Sequence, residues 1–127
     1  MWTAILHTAL RWTVRSSWSR LPFDEVVRRF GTPEGINRYM QVCFEYIHDH
    51  ELHGRDEVWQ TPALTHRLQR GDCEDFALYA WSALHRRGWD TCLFAAFTRE
   101  LGHAVCVYRD RDGYHTICNE GLKTLAV

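Results

Sequence analysis

Apolar side chains recur every three or four residues from the amino terminus to Gly88, and this period indicates a series of amphipathic helices. Thr32-Pro33 and Thr61-Pro62 each place an N-cap residue before a proline at the first helical position, which is a strong signal for a helix start. The predicted helices cover residues 3–15, residues 24–30 behind an Asp24 cap, residues 32 to about 48, residues 61 to about 71 and residues 73–88, with a polar break at residues 16–20 and a loop at residues 49–60.

Beyond Gly88 the pattern changes to short runs rich in β-formers, which predict strands over Thr91–Thr98, His103–Arg109 and Tyr114–Asn119. Arg111-Asp112-Gly113, between the last two runs, is typical of a hairpin turn. Helices followed by an antiparallel meander are the pattern of an α+β fold, in which the helices cover one face of the sheet.

Length and charge narrow the class of protein. The chain has 127 residues, of which 46% are hydrophobic and 24% are charged, and its net charge is −1. These values fit one globular domain with a modest core. A nearly neutral chain offers no field for nucleic acid or anionic lipid, so neither is expected as a partner.

The cysteines and the amino terminus bear on the compartment. The number of cysteines is odd, and no two of them have Cys-x-x-Cys spacing, which favours a reducing compartment over a disulfide framework.

The apolar run at residues 1–15 is short, contains His7 and has no positive charge before it, so it predicts an amphipathic helix rather than a signal peptide. No run is long enough to span a bilayer. We therefore expect a cytoplasmic rather than an exported protein. The cysteines are Cys43, Cys73, Cys92, Cys106 and Cys118.

Cys73 is the strongest candidate for chemistry, because it falls in the first turn of a predicted helix, where the helix dipole favours a thiolate. His103 opens an apolar strand, and the following strand ends in a polar residue, so a nucleophile, a base and an orienting group are all present. The flanking Asp72, Glu74 and Asp75 do not suit a buried structural cysteine, although they also oppose thiolate formation. The apolar stripe expected beneath Cys73 consists of Phe76, Ala77, Ala80 and Leu84.

Three blocks within residues 36–120 resemble the transglutaminase-like cysteine peptidases, in particular the bacterial transglutaminase-like cysteine proteinase branch of the papain-like superfamily. The most specific block is Gly71-Asp72-Cys73-Glu74-Asp75-Phe76-Ala77, which is similar to the nucleophile motif of that family. The other blocks are Ile36-Asn37-Arg38-Tyr39 with Tyr46-Ile47-His48-Asp49, and Trp59-Gln60-Thr61-Pro62.

The resemblance implies a single domain with a helical extension over residues 1–30 and a catalytic-type core over residues 31–127. In that core a central helix carries the cysteine and packs on a small antiparallel sheet. Cys73 would be the nucleophile and His103 the general base of a cysteine peptidase or amidase that cleaves an amide bond in a protein or peptide through a Cys73 thioester. Two alternatives stay open, namely a catalytically impaired binding or assembly module and an acyltransferase that uses an amine. The oligomeric state is left open.

The third catalytic residue is a choice between two neighbours. The family usually ends its last catalytic strand with Leu-Asp-Asn, and here Ile117-Cys118-Asn119 takes that place. Neighbouring residues of a strand point to opposite faces, so only one of Cys118 and Asn119 can face His103. We favour Asn119, because a neutral thiol is a poor acceptor for an imidazole N–H. Weaker substitutes are Asp110, Asp112 and Glu120.

The resemblance also suggests an oxyanion hole and a metal. The Cys73 backbone N–H, with the side chain of Gln60 or the indole N–H of Trp59, could stabilise the oxyanion, although Trp59 could equally be a packing residue. Asp72 and Glu74 resemble part of a calcium site in the bacterial branch, but capping of the helix is the favoured role for both. We therefore expect that no cofactor is required, with calcium as the one candidate.

Overall fold

The computed structural model of the chain describes residue 10 and residues 12–48, 59–97 and 102–125. In these parts five helices and a four-stranded antiparallel sheet are present, which confirms the predicted α+β class. Within the same residues no helix is both long and apolar enough to cross a membrane. The helices are α1 (residues 12–18), α2 (Phe23–Phe30), α3 (Pro33–Cys43), α4 (Pro62–Leu68) and α5 (Cys73–Arg86). The strands are β1 (Glu45–Tyr46), β2 (Arg70–Gly71), β3 (Thr91–Phe97), β4 (Gly102–Asp110), β5 (Gly113–Cys118) and β6 (Gly121–Thr124).

The large sheet is a meander in the order β3-β4-β5-β6. The expected hairpin is confirmed, because Asp110 pairs with Gly113, which takes a φ of 118° that suits glycine. Strand β6 was not predicted. A separate two-stranded ladder, also unpredicted, pairs β1 with β2 in parallel and lies immediately before the start of α5.

Helix α5 is the centre of the core and packs against the sheet, mainly on β4. All four residues of its predicted apolar stripe are buried. The facing residues of β4 alternate as strand period two requires, with Ala104, Cys106 and Tyr108 buried against the helices.

Helices α3 and α4 both end earlier than predicted. The predicted extension of α3 to about His48 is wrong, because the backbone of Phe44 is extended. The centroid of the Phe44 ring lies 4.7 Å from that of the Tyr79 ring. The extension of α4 to Gly71 is wrong because Gln69 adopts a left-handed φ of 57°. In both cases tertiary packing and β-ladder formation override local helix propensity.

The amino-terminal part also differs from the prediction in detail. The break at residues 16–20 begins too early, because residues 12–18 are helical and the Trp18 ring packs 4.7 Å from Phe30. Helix α2 begins at Phe23 after Pro22, so Asp24 lies in its first turn rather than at the cap. Residues 3–9 of the first predicted helix, most of the predicted loop and Thr98 lie outside the described residues.

His66 joins the amino-terminal segment to the core. His66 Nε2 lies 2.8 Å from the Leu21 carbonyl oxygen and must donate to it, because a carbonyl can only accept. A neutral imidazole has one donor and one acceptor nitrogen, so Nδ1 accepts from the Tyr79 hydroxyl at 2.9 Å. The ring lies nearly parallel to the rings of Tyr39 and Tyr79, with its centroid 6.3 and 6.1 Å from theirs. Burial lowers the pKa of His66 below 6.5, so the folded state holds this ring neutral.

We expect acid to destabilise the protein through His66. Below about pH 6.5 the unfolded chain binds a proton that the folded ring excludes, so this contribution to stability is present above that pH and is lost as the pH falls. Melting temperatures at pH 7.5 and pH 5.5 should differ more for the wild type than for His66→Gln. His85→Gln, at an exposed histidine, is the control and should keep the wild-type difference. Equal pH dependence in wild type and His66→Gln would contradict this role.

Candidate active site

A reciprocal capping box sets the start of α5 at Cys73. The Asp72 side chain accepts from the Asp75 N–H at 3.4 Å, and Asp75 Oδ2 accepts from the Asp72 N–H at 3.0 Å. A Cβ on Gly71 would lie 2.5 Å from the Asp75 Cβ, so only glycine fits at that position. The Gly-Asp-Cys-Glu-Asp run therefore folds as one unit around the cysteine.

Asp75 also connects this unit to the chain before α4. Its second oxygen, Oδ1, accepts from the Gln60 backbone N–H at 2.9 Å, and the carboxylate is buried. One side chain thus fixes two backbone segments that flank Cys73. Sequence reasoning missed this role, although the spacing of Asp72 and Asp75 is that of a capping box.

Gln60 and Trp59, the two side chains predicted as hydrogen-bond donors to an oxyanion, lie in different surroundings. The Gln60 side-chain amide donates to Thr65 Oγ1 at 3.0 Å and to the Arg70 carbonyl at 3.1 Å. An oxyanion role for this amide would have to break one of these bonds. Trp59 is 43% exposed, so packing in the core does not account for a large aromatic residue at this position.

The Cys73 thiol is buried, with 7% of the residue exposed. Burial raises its pKa to about 11, and the charges of Glu74 and Asp72 and a hydrogen bond to Glu74 act in the same direction. The backbone N–H of Ala104 donates to the sulfur and opposes these effects. The thiolate tendency expected from the helix dipole is therefore outweighed, and the thiol is protonated at neutral pH.

We expect Glu74→Gln to lower the pKa of Cys73, because it removes a negative charge and weakens the hydrogen bond that holds the proton on sulfur. Alkylation of Cys73 by iodoacetamide at neutral pH should rise about tenfold, which corresponds to a shift of roughly one pKa unit. Peptide mapping by mass spectrometry gives the rate at each cysteine.

The control for this prediction is Asp112→Asn, which removes an exposed carboxylate from the β4–β5 hairpin. Its Cys73 rate should match the wild type, and the buried Cys106 gives an internal reference in every sample. A Cys73 rate that is unchanged or slower in Glu74→Gln would exclude this effect of the carboxylate.

His103 is the second residue of β4, and its side chain is exposed. The contact between the Cys73 sulfur and the Ala104 N–H brings the nucleophile candidate to the residue next to His103. His103 also lies within electrostatic range of Glu120. The pKa of Glu120 is lowered mainly by its hydrogen bond to Lys123 and also by the charge of His103.

The sequence predicted that Cys118 and Asn119 are neighbours on one strand, and the structure does not confirm this. Cys118 is the last residue of β5 and pairs with Gly121 at the start of β6, so Asn119 and Glu120 form the two-residue turn between these strands. The rule of opposite strand faces therefore does not decide between Cys118 and Asn119. Burial raises the pKa of the Cys118 thiol, which keeps it neutral.

The side-chain oxygen of Asn119 is a buried acceptor without a hydrogen-bond partner. Its backbone carbonyl accepts from Gln41 Nε2 at 3.2 Å, which holds the turn against α3. A buried acceptor without a donor costs about 1–3 kcal/mol, so a donor that reached Asn119 would be stabilised there.

The three weaker substitutes have other roles in the fold. Asp110 accepts from His115 Nε2 at 2.8 Å at the end of β4 that is far from His103. Asp112 lies in the β4–β5 turn, where its backbone N–H donates to Asp110. Glu120 forms an exposed ion pair with Lys123 at 2.8 Å.

Asp72 and Glu74 meet the needs of calcium only in part. Asp72 has the capping role that the sequence favoured. Glu74 Oε2 is buried without a hydrogen-bond partner, which is the state of an oxygen that a cation would satisfy. Calcium takes six to eight oxygen ligands, and two carboxylates supply only part of that shell. Among the residues described, no group of three or more His, Cys, Asp or Glu side chains could hold a metal.

The helix-borne cysteine, the antiparallel sheet packed against that helix and the histidine at the start of a strand are compatible with a papain-like core. A family model described as the bacterial transglutaminase-like cysteine proteinases (BTLCP) matches residues 18–125. The chain therefore belongs to this family, as the sequence motifs suggested. No curated protein matches the chain.

Proposed function

We propose that the protein is a cysteine peptidase or amidase that cleaves an amide bond in a protein or peptide, with Cys73 as nucleophile and His103 as general base. The observation that carries the proposal is the contact of the buried Cys73 sulfur with the backbone of Ala104, the residue that follows His103. Membership of a cysteine proteinase family supports the same chemistry.

The proposed reaction has two steps. His103 takes the thiol proton as the Cys73 sulfur bonds to the amide carbonyl carbon, and then protonates the leaving nitrogen as the C–N bond breaks. Water attacks the resulting thioester, gives a proton to His103 and releases the acid, and the proton returns to Cys73. Because the thiol has a raised pKa, transfer of its proton to His103 is part of the first step rather than a preceding equilibrium.

We propose Asn119 as the residue that orients His103. Its buried, unpartnered oxygen supports this role, because an imidazole N–H would satisfy it. For the oxyanion we favour the Cys73 backbone N–H with the Trp59 indole N–H over Gln60, because the Gln60 amide is already used. Calcium held by Asp72 and Glu74 would neutralise two charges that raise the Cys73 pKa.

Two other functions remain as outcomes of the test. A catalytically impaired binding or assembly module is favoured by the thiol at position 118 and by the high pKa of Cys73. An acyltransferase would use the same thioester and differ only in the nucleophile that resolves it.

The test incubates the full chain with a degenerate peptide library, with and without added methylamine and calcium, and identifies products by mass. We expect two fragments whose masses sum to the peptide plus water. A product that carries methylamine in place of water would show acyl transfer. An intact library from which the protein retains particular peptides would overturn the peptidase and favour the binding module.

A further inference from the structure

Trp59 is a large aromatic residue held at the surface by a buried neighbour. The residue is 43% exposed, whereas Gln60, the next residue, is buried. The Gln60 backbone N–H donates to Asp75 in the first turn of α5, and the Gln60 side chain makes two further hydrogen bonds. These bonds fix the backbone at Trp59 beside the end of α5 that carries Cys73.

Tyr46 is a second exposed aromatic residue tied to the same helix end. It pairs with Gly71 in the β1–β2 ladder, and the following Ile47 N–H donates to the Gly71 carbonyl at 2.9 Å. Gly71 lies two residues before Cys73. Tyr46 is 42% exposed, and the centroid of its ring lies 6.4 Å from that of Phe76, one turn along α5 from the cysteine.

Two large rings are thus kept partly in water by backbone segments that are hydrogen-bonded to Gly71 and Asp75, each two residues from the nucleophile candidate. Aromatic surface in water is unfavourable, and rigid exposed aromatic rings are frequent anchor points for a bound partner. An apolar group bound against Tyr46 and Trp59 would remove their ring surfaces from water. Another aromatic ring would be the most strongly bound of such groups, because it can also stack on their flat faces.

We propose that Tyr46 and Trp59 form an apolar subsite that binds an aromatic side chain of the peptide substrate, close to the amide bond that Cys73 attacks. The proposal rests on the proposed peptidase function, because only a substrate seated at Cys73 would bring its neighbouring side chain to these rings. It adds a specificity to that function, namely a preference for peptides with Phe, Tyr or Trp near the scissile bond.

The kinetic test uses a set of alanine-rich peptides in which a single Phe is moved one position at a time. We expect one Phe position to raise kcat/KM by about tenfold to a hundredfold over the all-alanine peptide, chiefly through KM. Trp59→Ala and Tyr46→Ala should reduce this ratio towards one. Trp59→Phe and Tyr46→Phe keep a ring and should preserve the ratio, even where Trp59→Phe lowers kcat.

The matched control is Tyr114→Ala, which removes an exposed aromatic residue of β5 beside the β4–β5 hairpin, at the end of the sheet away from His103. It should keep the wild-type ratio. A wild type that shows no Phe preference, or a preference that survives both alanine changes at Tyr46 and Trp59, would overturn the subsite.

Binding separates failure of the subsite from failure of the peptidase. If the wild type cleaves none of the peptides, calorimetry of the same peptides with the Cys73→Ala variant measures the subsite without chemistry. Tighter binding of a Phe peptide than of the all-alanine peptide, lost on adding Trp59→Ala, would support the subsite even though the peptidase proposal had failed. Equal binding of both peptides would overturn it.

Discussion

Replacement of Cys73 by alanine is expected to abolish peptide cleavage, with a loss of kcat of about 10⁵-fold or more, because the change removes the sulfur that would form the thioester. The fold should persist, since alanine is a good helix former and Asp72 and Asp75 still cap α5. Initial rates on a cleaved library peptide, with melting temperatures of both proteins, give the comparison.

Cys92→Ala is the control for this change, because Cys92 is an exposed thiol on β3. It should keep wild-type activity. Substantial cleavage by a folded Cys73→Ala protein would remove the cysteine from the mechanism and leave the site without a nucleophile.

Replacement of Asp75 by alanine is expected to have the largest effect on stability. The change leaves the buried N–H groups of Gln60 and Asp72 without their charged acceptor. Hydrogen bonds to charged groups contribute about 1.5–3 kcal/mol each, so the free energy of unfolding should fall by about 3 kcal/mol or more. Urea unfolding followed by circular dichroism measures this difference.

Asp75→Asn tests the geometry more finely, because the amide keeps one acceptor but turns an N–H group towards a backbone donor. It should destabilise by a smaller amount. Asp90→Ala breaks an exposed ion pair with Arg109 and should change the free energy of unfolding by less than about 1 kcal/mol. An Asp75→Ala loss no larger than that of Asp90→Ala would exclude Asp75 as the connection between the two segments.

The parts of the fold that follow from local chemistry could be predicted. Thr32 and Thr61 cap the helices that begin at the prolines after them, as their sequence positions indicated. The stripe from Phe76 to Leu84 is buried because helical period alone places those residues on one face. Gly113 marks its hairpin because its positive φ suits glycine.

Other parts depend on contacts between distant segments. The strands Glu45–Tyr46 and Arg70–Gly71 are two residues each, too short for any periodicity, and they exist because they pair with one another. The end of α3 at Cys43 likewise reflects the packing of Phe44 against Tyr79. Helical spacing continues past that point, so the sequence pattern could not show where the helix stops.

The candidate site likewise has features that could be predicted from the sequence and features that depend on tertiary packing. The motif around Cys73 and the histidine at position 103 were visible because each has a characteristic local setting. The raised pKa of Cys73 was not, because it depends first on burial, which is a property of the packed structure. The placement of Asn119 in a turn depends on the pairing of Cys118 with Gly121, and no strand prediction included β6.

The most direct test of the proposed chemistry is the mass of the protein during turnover. The wild type is mixed with a cleaved peptide, quenched in acid and analysed as intact protein and as proteolytic fragments. We expect a fraction that carries the acyl part of the peptide, joined as a thioester to Cys73 and absent from Cys73→Ala. Cleavage that continues at the full rate after Cys73 has been alkylated, or an acyl group found on another residue, would contradict the proposal that Cys73 is the nucleophile.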